Sequence, residues 1–169
     1  MTTPMYTNSV PVFKQLLTAL RSNLQTTAAE AAAKSIQADA FLQARLFPDM
    51  FPLIKQVQIA CDFARGVSAR LAGVDVPAHD GNEASFADLD ALLGSTLAFV
   101  DGLDAARFDG SEGRDIVLRP GTPKERKLGG QAYLTSYGLP QFFFHVTTAY
   151  AILRHNGVAI GKKDYMGAY

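Results

Sequence analysis

The sequence predicts an all-α fold, a four-helix bundle with a short β-hairpin before the last helix. Apolar residues recur at steps of three and four in four separate segments, as they do on one face of an α-helix. Another segment, around Ile116, has the short apolar run and the flanking turn residues of a strand. The connections between the helical segments are short, which is typical of a bundle.

The composition is that of one domain spanning residues 1–169. Of these 169 residues, 48% are hydrophobic, which is enough for a full core. The formal net charge is zero, which argues against a nucleic-acid-binding protein. No apolar run reaches about 18 residues, so we expect no membrane span.

The cysteine content and the first residues favour a soluble protein of the cytoplasm. Cys61 is the single cysteine, which excludes an internal disulfide and a metal site built from a cysteine cluster. It has no basic neighbour in the sequence that would lower its pKa, so we interpret it as a packing residue. The opening segment MTTPMYTNSVPVFKQLL lacks the basic and then apolar layout of a signal peptide.

The first long helix is predicted to begin after Ser9, a good N-cap residue that is followed by Pro11 in the first turn. Its inward residues share the helical spacing: Val10, Phe13, Leu16, Leu17, Leu20 and Leu24. The Ala-rich segment 26–34 extends it. A short helix is predicted over 39–46.

The second long helix is predicted to start at Asp49 as its cap, with Pro52 in the first turn and Gly73 at the end. Its core positions form an a/d seam: Leu53, Val57, Ala60, Ala64, Val67 and Leu71. Gln56 flanks this seam, and Asp62 lies further round the helix. Each of these two either lines a pocket or makes an ordinary hydrogen bond to solvent or to another helix.

The third helix follows a linker, 74–82, that is rich in turn-forming residues. The linker carries His79, which we expect to be an exposed loop residue. Ser85 with Asp88 resembles a capping box at the start of a helix over 86–100. The inward residues of this helix are Phe86, Leu89, Leu93, Thr96, Leu97 and Val100.

The hairpin is predicted to pair a strand at 114–119 with residues 131–134. The second of these segments includes Tyr133, a candidate pocket residue. The connection between them carries Lys124, Arg126 and Lys127. These charges form either a solvated hairpin tip or a weak contact for an anion.

The last helix is predicted to begin near Pro140 and to end at Asn156-Gly157. Its core-facing stripe consists of Phe142, His145, Val146, Ala149, Ile152 and Leu153. His145 is therefore either a neutral core histidine or a pocket residue that acts as a ligand or a base. Thr148 is a further candidate for that pocket. His155, in the last turn, complements the helix dipole.

The opposite side of the last helix is also apolar, since it carries Phe143, Phe144 and Tyr150. A helix that is apolar nearly all round is buried nearly all round. The cover is either another part of this chain or a second copy of it. We favour the second copy and predict a homodimer through these three residues.

Two long phrases and the opening YTNSVPVF resemble an uncharacterised family, domain-of-unknown-function family nineteen ninety-three. The phrases are DMFPLIKQVQIACDFA at 49–64 and LPQFFFHVTTAYAILRHNGVAIG at 139–161. The resemblance covers essentially the whole chain and implies a fold of the DinB-like superfamily of four-helix bundles. It also implies that homodimers are common. Many members of that superfamily bind a divalent metal through one histidine on the second helix and an HxxxH pair on the last, and some are thiol-dependent transferases or isomerases.

This chain departs from that metal-binding pattern. The residue four after His145 is Ala149, and the second helix carries Gln56, Gln58 and Asp62 in place of a histidine. One imidazole with neutral amides is a poor set of ligands for zinc or nickel. We therefore predict no metal ligands and no cofactor.

Three functions remain open. The first is a small-molecule-binding protein or a non-metal enzyme, with a pocket lined by His145, Gln56, Thr148 and Tyr133, and with Asp62 as a further candidate. The second is a homodimeric interaction protein whose metal site has degenerated. The alternative to both is a metal-dependent thiol transferase or isomerase. No motif indicates a reaction or a substrate, and we expect neither nucleic acid nor membrane as a partner.

Overall fold

The computed structural model describes residues 4–169, so the first three residues of the opening segment lie outside it. The long helices are α2 (Val10–Ala33), α4 (Leu53–Ala72), α5 (Phe86–Asp101) and α7 (Leu139–His155). Shorter helices are α1 (Pro4–Thr7), α3 (Asp39–Leu42), α6 (Gly130–Ala132) and α8 (Lys162–Met166), with 3-10 turns at Ala105–Phe108 and Ser111–Gly113. The antiparallel strands are β1 (Asp115–Leu118) and β2 (Arg126–Gly129). The predicted all-α bundle with a hairpin before its last long helix is confirmed. Within 4–169, every helix is too short or too polar to cross a membrane.

The core is organised around α4, which packs between α5 and α7 and also touches α2. All six residues of its predicted seam are fully buried: Leu53, Val57, Ala60, Ala64, Val67 and Leu71. Each buried leucine stabilises the fold by about 1.5–3 kcal/mol relative to an exposed one. The small residues Ala60 and Ala64 let the neighbouring helices approach closely. The seam therefore forms a continuous part of the bundle core.

The predicted start of α4 is wrong. The helix begins at Leu53, and its N-cap is Pro52, not Asp49. A proline disfavours helical backbone in the residue before it, so Phe51 stays outside the helix. The main chain of this loop is held by a hydrogen bond from the Leu53 N–H to the Ala44 carbonyl, 2.9 Å long. The helix α3 is also shorter than predicted and ends at Leu42.

The predicted helix ends are otherwise in place. Ser85 accepts a hydrogen bond from the Asp88 N–H at 3.1 Å, as a capping residue should. Gly73 and Gly157 adopt the positive φ that terminates a helix, at 66° and 87°. Ser9 is the N-cap of α2, but its hydroxyl donates to the carbonyl of Met5 because α1 lies directly before it.

The predicted second strand is wrong. β1 pairs with Arg126–Gly129, with Ile116 opposite Leu128, whereas residues 131–134 are helical. Only one face of this two-stranded ribbon is covered, so the partner strand tolerates charged residues and shows no apolar pattern. Lys127 instead pairs with Asp115 at 2.8 Å across the ladder. Arg126 and Lys127 therefore belong to the strand, and Lys124 stays in the connection.

The last helical segment starts earlier than Pro140 predicts. Residues 130–155 form one continuous helical run, in which Tyr133–Gly138 is π-helical and is called the π turn below. Proline has no N–H to donate to the preceding turn, so the carbonyls upstream of Pro140 lack a regular α-type partner. Wider π-type hydrogen bonding is one of the ways in which a helix absorbs such an interruption.

The expected exposure of His79 is wrong, because its side chain is only 14% exposed. Its Nε2 lies 2.7 Å from Glu83 Oε1, and its Nδ1 lies 3.4 Å from Asp62 Oδ1. Gln58 of α4 donates to the other oxygen of Glu83 at 2.8 Å. The linker is thus attached to α4 by contacts between residues that lie far apart in the sequence, such as His79 and Asp62.

The junction between β2 and α6 depends on a glycine. A Cβ atom at Gly130 would lie 1.8 Å from the carbonyl oxygen of Ser111, which is backbone and cannot move aside cheaply. Because of this close approach, the start of the run 130–155 packs against the 3-10 turn at Ser111–Gly113.

We predict that Gly130→Ala lowers the free energy of unfolding by at least about 2 kcal/mol, since an added methyl group must displace backbone. Urea unfolding measures this. Gly113→Ala is the control, because a Cβ there meets nothing within 4 Å. Equal stability of the two variants would contradict the packing argument.

Candidate functional site

The candidate site is a cleft between α4 and the helical run that ends in α7. Its α4 residues are spaced by seven and share one face of the helix: Gln56, Phe63 and Arg70. The residues opposite come from the π turn and α7: Tyr133, Tyr137 and His145. Contacts pair the two rows in antiparallel order, from Gln56 with His145 at one end to Arg70 with Tyr133 at the other. We call this the α4–α7 cleft.

At one end of the cleft, His145 Nδ1 lies 2.7 Å from Gln56 Oε1. The amide nitrogen of Gln56 donates to the carbonyl of Phe51 at 3.0 Å, so the amide oxygen is the atom that faces the imidazole. An amide oxygen can only accept, and therefore Nδ1 carries the proton. Nε2 keeps its lone pair, and no donor from residues 4–169 reaches it.

The surroundings of His145 favour the neutral imidazole. Phe63 stacks on the ring at a centroid distance of 5.9 Å and an angle of 15°. Phe144 meets it edge-on at 5.1 Å. The side chain is buried, and this burial lowers the pKa of His145 below its ordinary value. Nε2 can therefore accept a hydrogen bond or a proton, but it has none to donate.

The row of rings continues along the cleft from Phe63. Tyr137 meets Phe63 at 5.8 Å, and Tyr133 stacks on Tyr137 at 5.8 Å with an angle of 22°. Tyr133 is buried, and its hydroxyl accepts a hydrogen bond from Arg70 Nη1 at 3.2 Å. Burial raises the pKa of Tyr133, so its hydroxyl stays neutral.

These rings line a pocket of about 160 Å³, which we call the aromatic pocket. It lies between α4, the π turn and the end of β1. Its walls are Asp62, Phe63, Gly66, Val67, Arg70, Leu118, Arg119, Tyr133 and Tyr137. His145 is not one of these walls, but Phe63 contacts both the imidazole and the pocket.

The structure places the predicted pocket residues in three groups. Gln56 and His145 meet directly. Asp62 and Tyr133 line the aromatic pocket, on the other side of Phe63. Thr148 lines a different groove, and its hydroxyl donates to the Phe144 carbonyl at 2.7 Å.

Asp62 contributes a paired charge to the pocket rim. Its Oδ1 accepts a hydrogen bond from Arg65 Nη2 at 2.6 Å and lies 3.4 Å from His79 Nδ1. The Asp62 side chain is 53% exposed, so solvent screens it as well.

Of the nine residues that line the pocket, sequence reasoning predicted two for it, Asp62 and Tyr133, and missed seven: Phe63, Gly66, Val67, Arg70, Leu118, Arg119 and Tyr137. The spacing of seven from Gln56 through Phe63 to Arg70 could have found two of them, since such residues share a helix face. Arg119 gives no signal of this kind, because the hairpin brings it to α4 only in the folded chain.

The three dimer-face candidates differ in their surroundings. Phe143 and Phe144 are 38% and 52% exposed. Tyr150 packs edge-on against Tyr165 of α8 at 5.5 Å, and the Tyr165 hydroxyl lies 3.0 Å from Thr147 Oγ1. The tail of the chain itself thus covers the Tyr150 end of this face and leaves the Phe143 end open.

The donors around His145 do not fit a divalent metal. The imidazole has an amide as its hydrogen-bonding partner, and neutral amides are weak ligands for zinc or nickel. In residues 4–169, no three side chains from histidine, cysteine, aspartate and glutamate come together as a metal-binding group. Burial raises the pKa of Cys61 to about 12, so this thiol is not a thiolate ligand at neutral pH.

Comparison with known proteins extends over nearly the whole chain. The family described as Domain of unknown function (DUF1993) matches residues 5–166. The crystal structure of a DinB family member protein from Shewanella denitrificans is 38% identical and superposes with a TM-score of 0.90, covering 97% of this chain and 92% of that chain. No curated protein matches this chain.

We predict that the free energy of unfolding decreases as the pH falls from about 7.5 to about 5, partly through His145. The pKa of folded His145 lies below the ordinary 6.5, so the unfolded chain takes up the proton more readily. Acid therefore favours unfolding. Gln56, Phe63 and Phe144, which contact the ring, are uncharged and do not oppose this effect.

Urea unfolding across this pH range measures the effect. His145→Gln should show a shallower decrease than the unmodified protein, because the buried titrating group is gone. His155→Gln is the control, since His155 is exposed in the last turn of α7. A His145→Gln profile parallel to that of the unmodified protein would show that the imidazole does not contribute.

Proposed function

The chain belongs to the Domain of unknown function (DUF1993) family and has a DinB-like fold, and from the α4–α7 cleft we propose that it is a small-molecule-binding protein. Its site is the aromatic pocket. The observation that carries this proposal is a concave site with ring walls on which polar groups converge, namely the Tyr133 hydroxyl and the Arg70 guanidinium. Apolar walls with a few placed polar groups are typical of ligand sites.

His145 and Gln56 support the pocket from behind. The hydrogen bond between them fixes the imidazole, and the imidazole stacks on Phe63, which forms a pocket wall. Residues that are locked by packing and hydrogen bonds keep a binding site preorganised. In this proposal His145 positions Phe63, and its Nε2 is available as a hydrogen-bond acceptor.

We further propose that the metal site of the DinB-like superfamily has degenerated in this chain. The support is the donor set, since His145 faces a glutamine amide and Ala149 stands one turn further on. In this proposal, residues 4–169 offer no set of metal ligands for the transferase or isomerase function. We keep the cytoplasm as the proposed location, in line with one free, buried cysteine.

A second proposal is a homodimer through the open end of α7. Here a shallow groove is lined by Leu46, Pro140, Phe143, Phe144, Thr147, Thr148 and Ala151. None of these residues is charged, so two copies can face each other without like-charge repulsion, as in a two-fold contact. The neighbouring loop adds Phe47 and Phe51, which are 64% and 53% exposed. Such a patch is typical of an interaction surface.

We predict that the aromatic pocket binds at least one of three simple probes: phenol, benzamide or benzoate. Binding should shift the amide NMR signals of Gly66 and Tyr137 at millimolar probe concentrations, because both residues line the pocket. Tyr137→Ala should weaken binding by removing one ring wall. Tyr150→Ala is the matched control, since Tyr150 packs against Tyr165 instead. If no probe shifts these signals, or if both variants bind equally, the proposed function is wrong.

We also predict that the protein sediments as a dimer and that Phe144→Asp shifts it towards the monomer, since a buried unpaired carboxylate opposes association. Analytical ultracentrifugation over a concentration series measures this. Val76→Asp, at an apolar linker residue that is 41% exposed, should leave the dimer intact. Unmodified protein that remains a monomer up to its solubility limit would exclude the homodimer.

A further inference from the structure

We infer that the ligand of the aromatic pocket is a planar anion, an aromatic carboxylate of about one ring, held by the guanidinium groups of Arg70 and Arg119. This inference rests on the proposed function and adds the chemical class of the ligand. It is carried by charge, by local backbone conformation and by the size of the pocket.

The first observation is that Arg70 has no acidic partner. Its Nη1 donates to the Gly66 carbonyl at 3.0 Å and to the Tyr133 hydroxyl at 3.2 Å. Both acceptors are neutral, and no carboxylate from residues 4–169 lies within 4.0 Å of the guanidinium. A half-buried guanidinium has five N–H donors, and only Nη1 of Arg70 has acceptors within residues 4–169. A cation without a counter-ion in such a place is a site for an anion.

The second observation is a glycine that makes room for this guanidinium. Gly66 stands in the interior of α4, where glycine is unfavourable for a helix. A Cβ atom at this position would lie 2.6 Å from Arg70 Nη1. The missing side chain therefore lets the guanidinium lie against the helix backbone at the pocket wall.

The third observation is the backbone of Arg119. Its φ angle is 51°, a left-handed conformation that it shares with only one other non-glycine residue in 4–169, Ser35. The Arg119 carbonyl accepts hydrogen bonds from the N–H and the hydroxyl of Thr122, which close the turn after β1. An unfavourable conformation held in this way is common where a side chain must reach a functional site. Arg119 is an exposed residue that lines the aromatic pocket, and it forms no ion pair with an acid in 4–169.

The surroundings of the pocket are positive. Arg119 also lines an adjoining groove of about 530 Å³, together with Lys124 and Arg126. The one acid in that groove, Glu125, accepts a hydrogen bond from the Gly121 N–H at 2.6 Å, and the three cations of the groove outnumber its charge. At the pocket itself, the charge of Asp62 is paired with Arg65. Among the residues that line the aromatic pocket, Arg70 and Arg119 are the cations, and neither forms an ion pair within residues 4–169.

The size and the aromatic walls of the pocket favour a ligand with one flat ring. A volume of about 160 Å³ is close to that of cavities that hold one benzene ring, about 150 Å³. Phe63 and Tyr137 line the pocket, are partly exposed and offer ring surface for stacking. A carboxylate on such a ring matches the planar fork of a guanidinium, which binds carboxylates through two parallel hydrogen bonds.

The test compares benzoate with benzamide, its neutral counterpart of the same shape, and with inorganic phosphate, which lacks the ring. Affinities are measured by NMR titration of the full chain at low salt, following the signals of Gly66 and Tyr137. We expect benzoate to bind about tenfold more tightly than benzamide, since hydrogen bonds to a charged group are stronger than neutral ones. Phosphate should not compete with benzoate at equal concentration.

Two variants test the residues. Arg119→Gly removes the guanidinium and suits the left-handed backbone, so it should fold normally and bind benzoate about tenfold more weakly. Gly66→Ala should displace the Arg70 guanidinium and weaken benzoate binding, while a better helix former leaves thermal stability equal or higher. If Gly66 had a purely structural role, the substitution would lower thermal stability together with binding. Arg154→Ala, at an exposed arginine in the last turn of α7, is the control and should bind as the unmodified protein does.

The outcomes separate this inference from the proposed function. If benzamide binds as tightly as benzoate, or if Arg119→Gly leaves benzoate binding unchanged, the inference that the ligand is an anion held by arginine is wrong. The proposal of a small-molecule site would still stand. If phosphate competes with benzoate at equal concentration, the inference that the ligand has a planar ring is wrong, and the pocket is a site for simple anions. Failure of every probe to bind would overturn both proposals.

Discussion

The fold depends on the burial of α4 against its neighbours. Its seam residues, from Leu53 to Leu71, are excluded from solvent, so this helix supplies the core of the bundle. A helix buried to this degree has little freedom to move, and the polar residues on its remaining face are held in fixed positions. The row Gln56, Phe63 and Arg70 lies on that face. The rigidity that stabilises the core therefore also positions the α4–α7 cleft.

Burial also decides which chemistry the cleft can offer. A buried polar group needs a hydrogen-bonding partner, and Gln56 supplies one to His145 while being held by the Phe51 carbonyl. The same burial keeps the imidazole, the Tyr133 hydroxyl and the Cys61 thiol in their neutral forms. A neutral phenol or thiol suits hydrogen bonding better than metal binding or nucleophilic attack, and the neutral imidazole can accept a hydrogen bond through Nε2. The charge of the site comes instead from the arginines, which keep theirs at any physiological pH.

Several locally unfavourable features meet at the aromatic pocket. Gly66 stands in a helix interior, Arg119 has a left-handed backbone, and the π turn replaces regular α-helix. Each is less stable than the regular alternative. Their convergence on one pocket is typical of a functional site, where local stability is reduced for the sake of geometry.

The sequence by itself determined the parts that follow a local period. The helices, the seam of α4, the buried stripe of α7 with His145 in it, and the turns at Gly73 and Gly157 follow from apolar spacing and from the conformational freedom of glycine. The resemblance in two phrases, 49–64 and 139–161, also identified the family. The pairing of Gln56 with His145 could also have been predicted, since Gln56 is a polar residue beside the apolar seam of α4 and His145 is a polar residue within the apolar stripe of α7. Only the tertiary structure decided the rest: the partner of β1, the partial burial of His79, the packing of Tyr165 on Tyr150, and the placement of Arg119 and Arg70 at one pocket. These contacts join residues far apart in the chain and depend on charge pairing, ring stacking and backbone approach, none of which leaves a periodic pattern in the sequence.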